Sequence, residues 1–263
     1  SGNFSQLRAA LGTTRQLAAD VQRTLGSDRG HSLRLVANTT DGTHWSMGDG
    51  RKSGQLGASW RLPITPALTH LLAVEQQWEK VRQPYWGTPL LRDGSNAIVG
   101  QIATDPGTVG VNYNVVDGRY EQDVTWVRSV LQWQPSAALS FTHTLYHYDA
   151  LRDYDNVETY SFVNGNTQVQ RSNALLQRHD QQVYGSRGEV TLKGSLGGLL
   201  RDSALGWDWS FNRQTRFPLS VAGPFDTTDP YAPADTFFLY TPGVTRTYTP
   251  GATNRLHTGA LFA

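Results

Sequence analysis

Apolar and polar residues alternate with a period of two along much of this chain. Leu205, Trp207, Trp209 and Phe211 alternate with Gly206, Asp208, Ser210 and Asn212. Leu56, Ala58, Trp60 and Leu62 alternate with Gln55, Gly57, Ser59 and Arg61, and Leu139, Phe141 and Leu145 with Ser140, Thr142, Thr144 and Tyr146. Tyr184, Val190 and Leu192 stand against Arg187, Glu189 and Thr191, and Leu33, Leu35 and Ala37 against Ser32, Arg34 and Asn38. Successive strand residues point to opposite faces, so each stretch makes a strand with one apolar and one polar face. The pattern predicts ten strands, over roughly 4–12, 14–25, 31–40, 51–62, 67–80, 121–134, 137–150, 181–193, 203–216 and 254–263. The sixth is the least regular, because Val124, Trp126 and Val130 oppose Val127, Leu131 and Trp133. Most run to about 10–14 residues, against about 5–6 in a usual globular strand. A tilted strand needs about 9–11 to cross a bilayer.

The connections carry a second pattern. After a first tight hairpin, short and long links alternate. Gly26 to Gly30, Pro63 to Pro66, Gln134 to Ser136 and Gly194 to Asp202 are short, whereas Asp41 to Gly50, Val81 to Tyr120, Leu151 to Asp180 and Phe217 to Thr253 are long. One end of the array thus carries turns and the other carries loops, as in outer-membrane barrels. Aromatics fall near the strand ends at Trp60, Trp78, Trp133, Tyr146, Tyr148 and Trp209. Such rings suit a membrane interface, although they would also suit the core of a soluble sandwich. The fold class expected is all-β: an antiparallel up-and-down transmembrane barrel.

Composition narrows the functions. The 263 residues carry a formal net charge of +1, which gives no pull toward nucleic acid. Hydrophobic residues make up 38% and aromatics 11%, with eight Trp and eleven Tyr; a large dry core would need more aliphatic side chains. With no cysteine, disulfides, zinc–thiolate sites and Cys nucleophiles are excluded. No apolar run is long enough for a transmembrane helix. Ser1-Gly2-Asn3-Phe4 lacks the regions of a signal peptide, so an exported chain is expected to have lost its start.

Candidate chemistry is sparse. His143 and His147, with Asp149 beyond, would suit a metal on a helix, but four residues on a strand span about 13 Å. Asp226, Asp229 and Asp235 lack EF-hand spacing and read as a solvated loop. Gly194-Ser195-Leu196-Gly197-Gly198 lacks the Lys-Ser/Thr of a phosphate loop and reads as a turn. Glu75 and Glu79 flank Gln77 on a polar strand face and suit a channel wall better than acid–base work. No catalytic residue, resident cofactor or metal is expected.

A closed barrel leaves no edge in lipid, where unpaired backbone groups cost several kcal/mol each. The chain ends in what reads as mid-strand, at Gly259-Ala260-Leu261-Phe262-Ala263, and its loops are large for ten strands. The expectation is one partial barrel domain over 1–263, with further strands and an N-terminal segment elsewhere.

Ordered segments carry a family resemblance. They include Thr13-Thr14-Arg15-Gln16-Leu17-Ala18-Ala19-Asp20-Val21, Ser32-Leu33-Arg34-Leu35-Val36-Ala37-Asn38, Arg82-Gln83-Pro84-Tyr85-Trp86-Gly87-Thr88-Pro89-Leu90 and Asn112-Tyr113-Asn114-Val115. Thr125-Trp126-Val127-Arg128, Trp133-Gln134-Pro135-Ser136, Thr144-Leu145-Tyr146-His147-Tyr148-Asp149-Ala150 and Asn156-Val157-Glu158-Thr159-Tyr160 follow. His179-Asp180-Gln181 and Gly206-Trp207-Asp208-Trp209-Ser210 complete the series. In this order the chain resembles TonB-dependent siderophore receptors, the plugged barrels of about 22 strands in Gram-negative outer membranes. It corresponds to about the first ten strands, without a TonB box, plug or C-terminal strand.

The resemblance implies a receptor that takes a ferric siderophore at its outer mouth and is driven by the TonB complex through the plug. It implies partners in the siderophore, TonB and outer-membrane lipid, and no enzyme activity. Tyr85, Trp86, Arg92, Tyr113 and Tyr120 are the candidate ligand contacts, since aromatic faces and arginine suit flat, anionic ferric chelates. Packing of the loop on itself is the competing account of these residues. A porin, an outer-membrane protease and a soluble β-sandwich binding module are the alternatives.

Overall fold

A computed structural model describes all residues except 1, 27–29, 44, 101–102, 197–198, 239–244 and 246, and leaves the side chains of 196–200 aside. Ten strands form a single antiparallel sheet in chain order. They are β1 (Phe4–Ala10), β2 (Thr14–Leu25), β3 (His31–Thr43), β4 (Gly50–Thr65), β5 (Leu68–Arg82), β6 (Arg119–Trp133), β7 (Leu139–Val163), β8 (Gln168–Leu196), β9 (Leu199–Thr228) and β10 (Thr253–Phe262). The all-β, up-and-down architecture stands, and no second sheet packs against this one among the described residues, so a two-sheet sandwich is not what the chain forms.

The ladder sorts side chains by chemistry. On one face Leu35 opposes Ala58, Ala58 opposes Val74, Val74 opposes Val127, His147 opposes Tyr184 and Tyr184 opposes Phe211. These apolar residues stay bare: Leu35 is 49% exposed, Leu56 60%, Leu145 50% and Leu205 61%. So broad an uncovered apolar surface marks a face that meets a partner or a membrane. The other face holds amides and charges, with Asn38 donating to Gln55 at 2.9 Å and both Gln55 and Gln77 donating to Glu75 at 2.5 Å.

The apolar band runs obliquely to the ladder. The rung through Ala19, in the middle of the band on β2, passes Ala37, Leu56, Gln76, Thr125 and Asp149 to reach Gln182 on β8. There the band lies between Tyr184 and Leu192 and is centred on Gly188. The slip is about six residues over six strands; at ~3.3 Å per residue and ~4.8 Å between strands it tilts the strands by roughly 35° to the band's normal. That is the strand tilt of a barrel wall.

Three strands outrun their sequence signal. The stretch 151–180, expected as a loop, continues β7 and β8 to a tight turn at 164–167, and β9 continues to Thr228. Alternation fades there, yet the β7–β8 ladder stays in register from Leu139–Leu192 to Val163–Gln168. Loop 41–50 likewise shrinks, with Thr43 opposing Gly50. The Gly26–Gly30 and Gly194–Asp202 turns lie partly outside the described residues. Buried residues gather beside the tops of β7–β9, where loops 83–118 and 229–252 cover the sheet.

Candidate functional site

The covering loops make a cap over the long-loop end of the wall. One apolar cluster joins Val115, Val157, Ala174, Leu176 and Phe238, with Leu219, Val221, Phe225 and Tyr248 against it. A second joins Val111, Tyr113, Phe162 and Val169, with Leu91 and Tyr160. Loop backbone that leaves the sheet must find other partners. Three buried amides supply them. Asn112 donates to the Gln83 carbonyl at 2.7 Å, and Asn114 donates to the Pro84 carbonyl at 3.0 Å. Asn114 also donates to Asn156 Oδ1 at 2.8 Å and accepts from Val115 and Val157 backbone N–H groups. At the β7–β8 turn, Asn166 pairs through both amide atoms with the backbone of Arg92, at 3.0 and 2.7 Å.

Arg171 is the hub. Its side chain is 1% exposed and forms a two-pronged ion pair with Asp226, whose side chain is 29% exposed. It also donates to the Tyr113 and Ala234 carbonyls at 3.4 and 3.3 Å, and to Thr236 Oγ1 at 2.6 Å. Its guanidinium lies 5.4 Å from the centre of the Phe225 ring. One cation therefore ties β8, β9 and both loops, in the forked geometry arginine offers. A second tie holds loop 229–252. The Tyr248 hydroxyl donates to Asp153, which also pairs with Arg178 at 2.9 Å and Arg119 at 3.6 Å. Burial, then the Asp153 contact, pushes the Tyr248 phenol up to about 12. Burial raises Tyr113 and Tyr160 further, so both stay neutral donors. At the exposed rim, the Tyr231 hydroxyl donates to Asp105 at 2.7 Å and holds that carboxyl below its usual range.

The five candidate contacts separate. Trp86 is 47% exposed. Tyr85 is half-buried, with its hydroxyl on Thr88 at 2.7 Å and its ring edge-on to Trp45 at 5.0 Å. Arg92 spends one guanidinium nitrogen on the Asn96 carbonyl at 2.8 Å. Tyr120 lies on the polar face, tilted 6.5 Å from Tyr154, with Arg152 5.7 Å over its ring. Tyr113 departs from the expectation: it is fully buried and donates to the Pro230 carbonyl at 2.5 Å, so it seats the cap and shows a ligand no surface. Trp45, 70% exposed, joins Tyr85 at the rim although its position in the sequence gave no sign of it; only its type pointed to a rim.

The remaining motifs resolve simply. His143 bonds Ser186 at 2.9 Å and His147 stacks on Tyr184 at 4.4 Å. Asp226 serves Arg171, and Asp229 accepts from the Tyr231 and Ala232 N–H groups. Among the described residues no group of metal-ligating side chains converges.

No protein-family model and no curated protein matches the chain. Solved structures do. The siderophore receptor PiuA from Acinetobacter baumannii superposes with a TM-score of 0.74 at 15% identity, over 98% of this chain and 38% of that one. BauA, the ferric preacinetobactin receptor of the same organism, gives 0.73 at 11%, over 97% and 36%. The ferripyoverdine receptor of the Pseudomonas aeruginosa outer membrane, bound to ferripyoverdine, gives 0.72 at 15%, over 99% and 34%. The chain spans little more than a third of the length of each. These neighbours are TonB-dependent receptors, not enzymes. A tilted meander, bare on one face, polar on the other and capped by its long loops, therefore has the fold of part of the barrel of TonB-dependent siderophore receptors.

Proposed function

We propose that this chain is a partial barrel domain, wall and outer cap, of an outer-membrane TonB-dependent receptor that imports ferric siderophores. The supporting observation is the single tilted sheet, whose apolar face is bare and whose opposite face is polar. The bare face meets lipid and the polar face lines the lumen. The ligand is cargo rather than cofactor. Trp86, Tyr85 and Arg92 meet it at the rim, and Tyr120, with Arg152 and Tyr154, meets it on the lumen wall. Aromatic faces and cations suit a partly apolar, anionic ferric chelate. TonB acts through a plug, and the barrel performs no covalent step.

The test uses the whole receptor in its native membrane. It should fractionate with the outer membrane, need detergent for extraction and shift its gel migration on heating. Ferric hydroxamate, catecholate and carboxylate chelates are titrated against it by tryptophan quenching. Tyr85→Ala with Trp86→Ala should weaken the best ligand by about tenfold, one exposed aromatic contact or two. Binding of none of the chelates, or unchanged affinity in the folded double variant, defeats the import reading or the rim assignment respectively.

A further inference from the structure

Charged residues return to the apolar face where the band ends on the long-loop side, and two of them face each other with no counterion among the described residues. Arg213 on β9 directly opposes Arg255 on β10, and both are exposed. The next pair on this face toward the short turns is Phe211 with His257, rings 4.7 Å apart, with Trp209 6.1 Å from the same His257. The arginines thus stand one step beyond the aromatic edge of the band. Like charges directly opposite on a sheet repel. Among the described residues no carboxylate reaches ion-pair distance of either; Asp180, two residues along β8 from the position opposite Arg213, pairs with neither.

The same arrangement recurs across the sheet. Beyond Leu56 and Trp78, Lys52 opposes Lys80, and two residues further, on the same face, Arg82 opposes Arg119. Asp41 takes Lys52 at 3.3 Å, Glu121 takes Lys80 at 3.6 Å, and Arg119 is held by Asp153 and Asp155. Among the described residues Arg82 enters no ion pair, and it lies in a cavity of about 350 Å³ that these side chains line with Val116, Asp117 and Gly118. Both stations lie at the same boundary of the tilted band, on the face that bears no ligand-facing polar wall.

We propose that Arg213 with Arg255, and Arg82 with Lys80 as a second station, clasp the phosphate of an anionic lipid headgroup in the leaflet beside the long loops. The proposal rests on the reading of the apolar face as a lipid-facing wall. A phosphate between opposed guanidinium groups removes their repulsion and accepts forked hydrogen bonds from both. A lipid phosphate stays at this height because its acyl chains lie against the apolar band below. A free anion has no such anchor.

The whole receptor is extracted in mild detergent and exchanged into micelles carrying a diphosphorylated glycolipid or its enzymatically dephosphorylated form. Native mass spectrometry counts the lipids retained. Wild type should hold the phosphorylated form preferentially, and Arg213→Gln/Arg255→Gln should reduce that retention by about tenfold, with Lys80→Gln/Arg82→Gln smaller in effect because Glu121 remains. The heat-dependent gel shift confirms that each variant is folded. Equal retention of the two lipid forms, or unchanged retention by the folded variants, overturns the proposal. Inorganic phosphate competing equally well in lipid-free micelles also overturns it, in favour of a free-anion site. A receptor absent from the membrane fraction instead sinks the wall reading beneath it.

Discussion

Replacing Arg171 with Met removes the charge that ties the cap while keeping most of the side chain's length. Removing one partner of a buried ion pair costs about 3–5 kcal/mol. The Asp226 side chain is 29% exposed, so water repairs part of its loss and the lower end, about 3 kcal/mol, applies. The deletion also removes the arginine's hydrogen bonds to the Ala234 carbonyl and the Thr236 hydroxyl, which help anchor loop 229–252. The wall does not depend on these contacts, so the penalty falls on local opening of the cap. At about 1.4 kcal/mol per factor of ten, cap opening should become roughly 100-fold more frequent. Amide hydrogen exchange reads this at Val111, Val115 and Phe238, with the paired amides of β3 and β4 as the unaffected reference. Arg171→Met with Asp226→Leu should recover a good part of the protection, because no bare carboxylate remains. Exchange at the three cap residues within about threefold of wild type would refute the hub. So would equal loss throughout the wall.

Tyr248→Phe deletes the hydroxyl on Asp153 and should loosen loop 229–252 by about 1 kcal/mol, seen as faster protease nicking of that loop. Glu158, half-buried near the top of β7, has a carboxyl raised by burial. The unfolded tip then releases its proton first, so tip stability falls as pH rises through the usual carboxylate range and stays lowered above the folded value. Glu158→Gln should flatten that pH dependence in exchange measured at the β7–β8 turn; an unchanged profile rules Glu158 out as its source. Gly185 lies beneath the Tyr146 ring on the polar face, where an added Cβ would strike the ring. Gly185→Ala should destabilise the refolded wall by about 1–3 kcal/mol in a urea-dependent gel-shift assay, and a neutral effect would show that the ring swings aside freely.

The wall was legible because one apolar and one polar face write a period of two into Leu56 to Leu62 and Leu205 to Phe211. The tops of β7, β8 and β9 were not, because their backbone pairing needs no such contrast. Residues such as Arg152, Asp153 and Gln177 pair as strand with loops, solvent and each other around them. Tyr113 illustrates the limit of residue type. An aromatic in a long loop suits a ligand, but the same ring and hydroxyl suit a buried tie, and only Pro230, far along the chain, decides between them. Arg171 gave no signal, since its partner Asp226 looked like part of a solvated acidic loop.

The spacing of these ties along the chain sets an order of assembly. Every wall strand pairs with its neighbour in sequence, so the sheet can grow by adding adjacent hairpins. The cap instead joins Tyr113 to Pro230, Asp117 to Phe238 and Arg119 to Tyr248, separations of 117, 121 and 129 residues. Closing such long segments yields nothing until β9 stands beside β8 and presents Asp226 to Arg171. The rim is thus a late product of folding, and a chain stalled with loop 229–252 unseated would carry a formed wall and an open mouth.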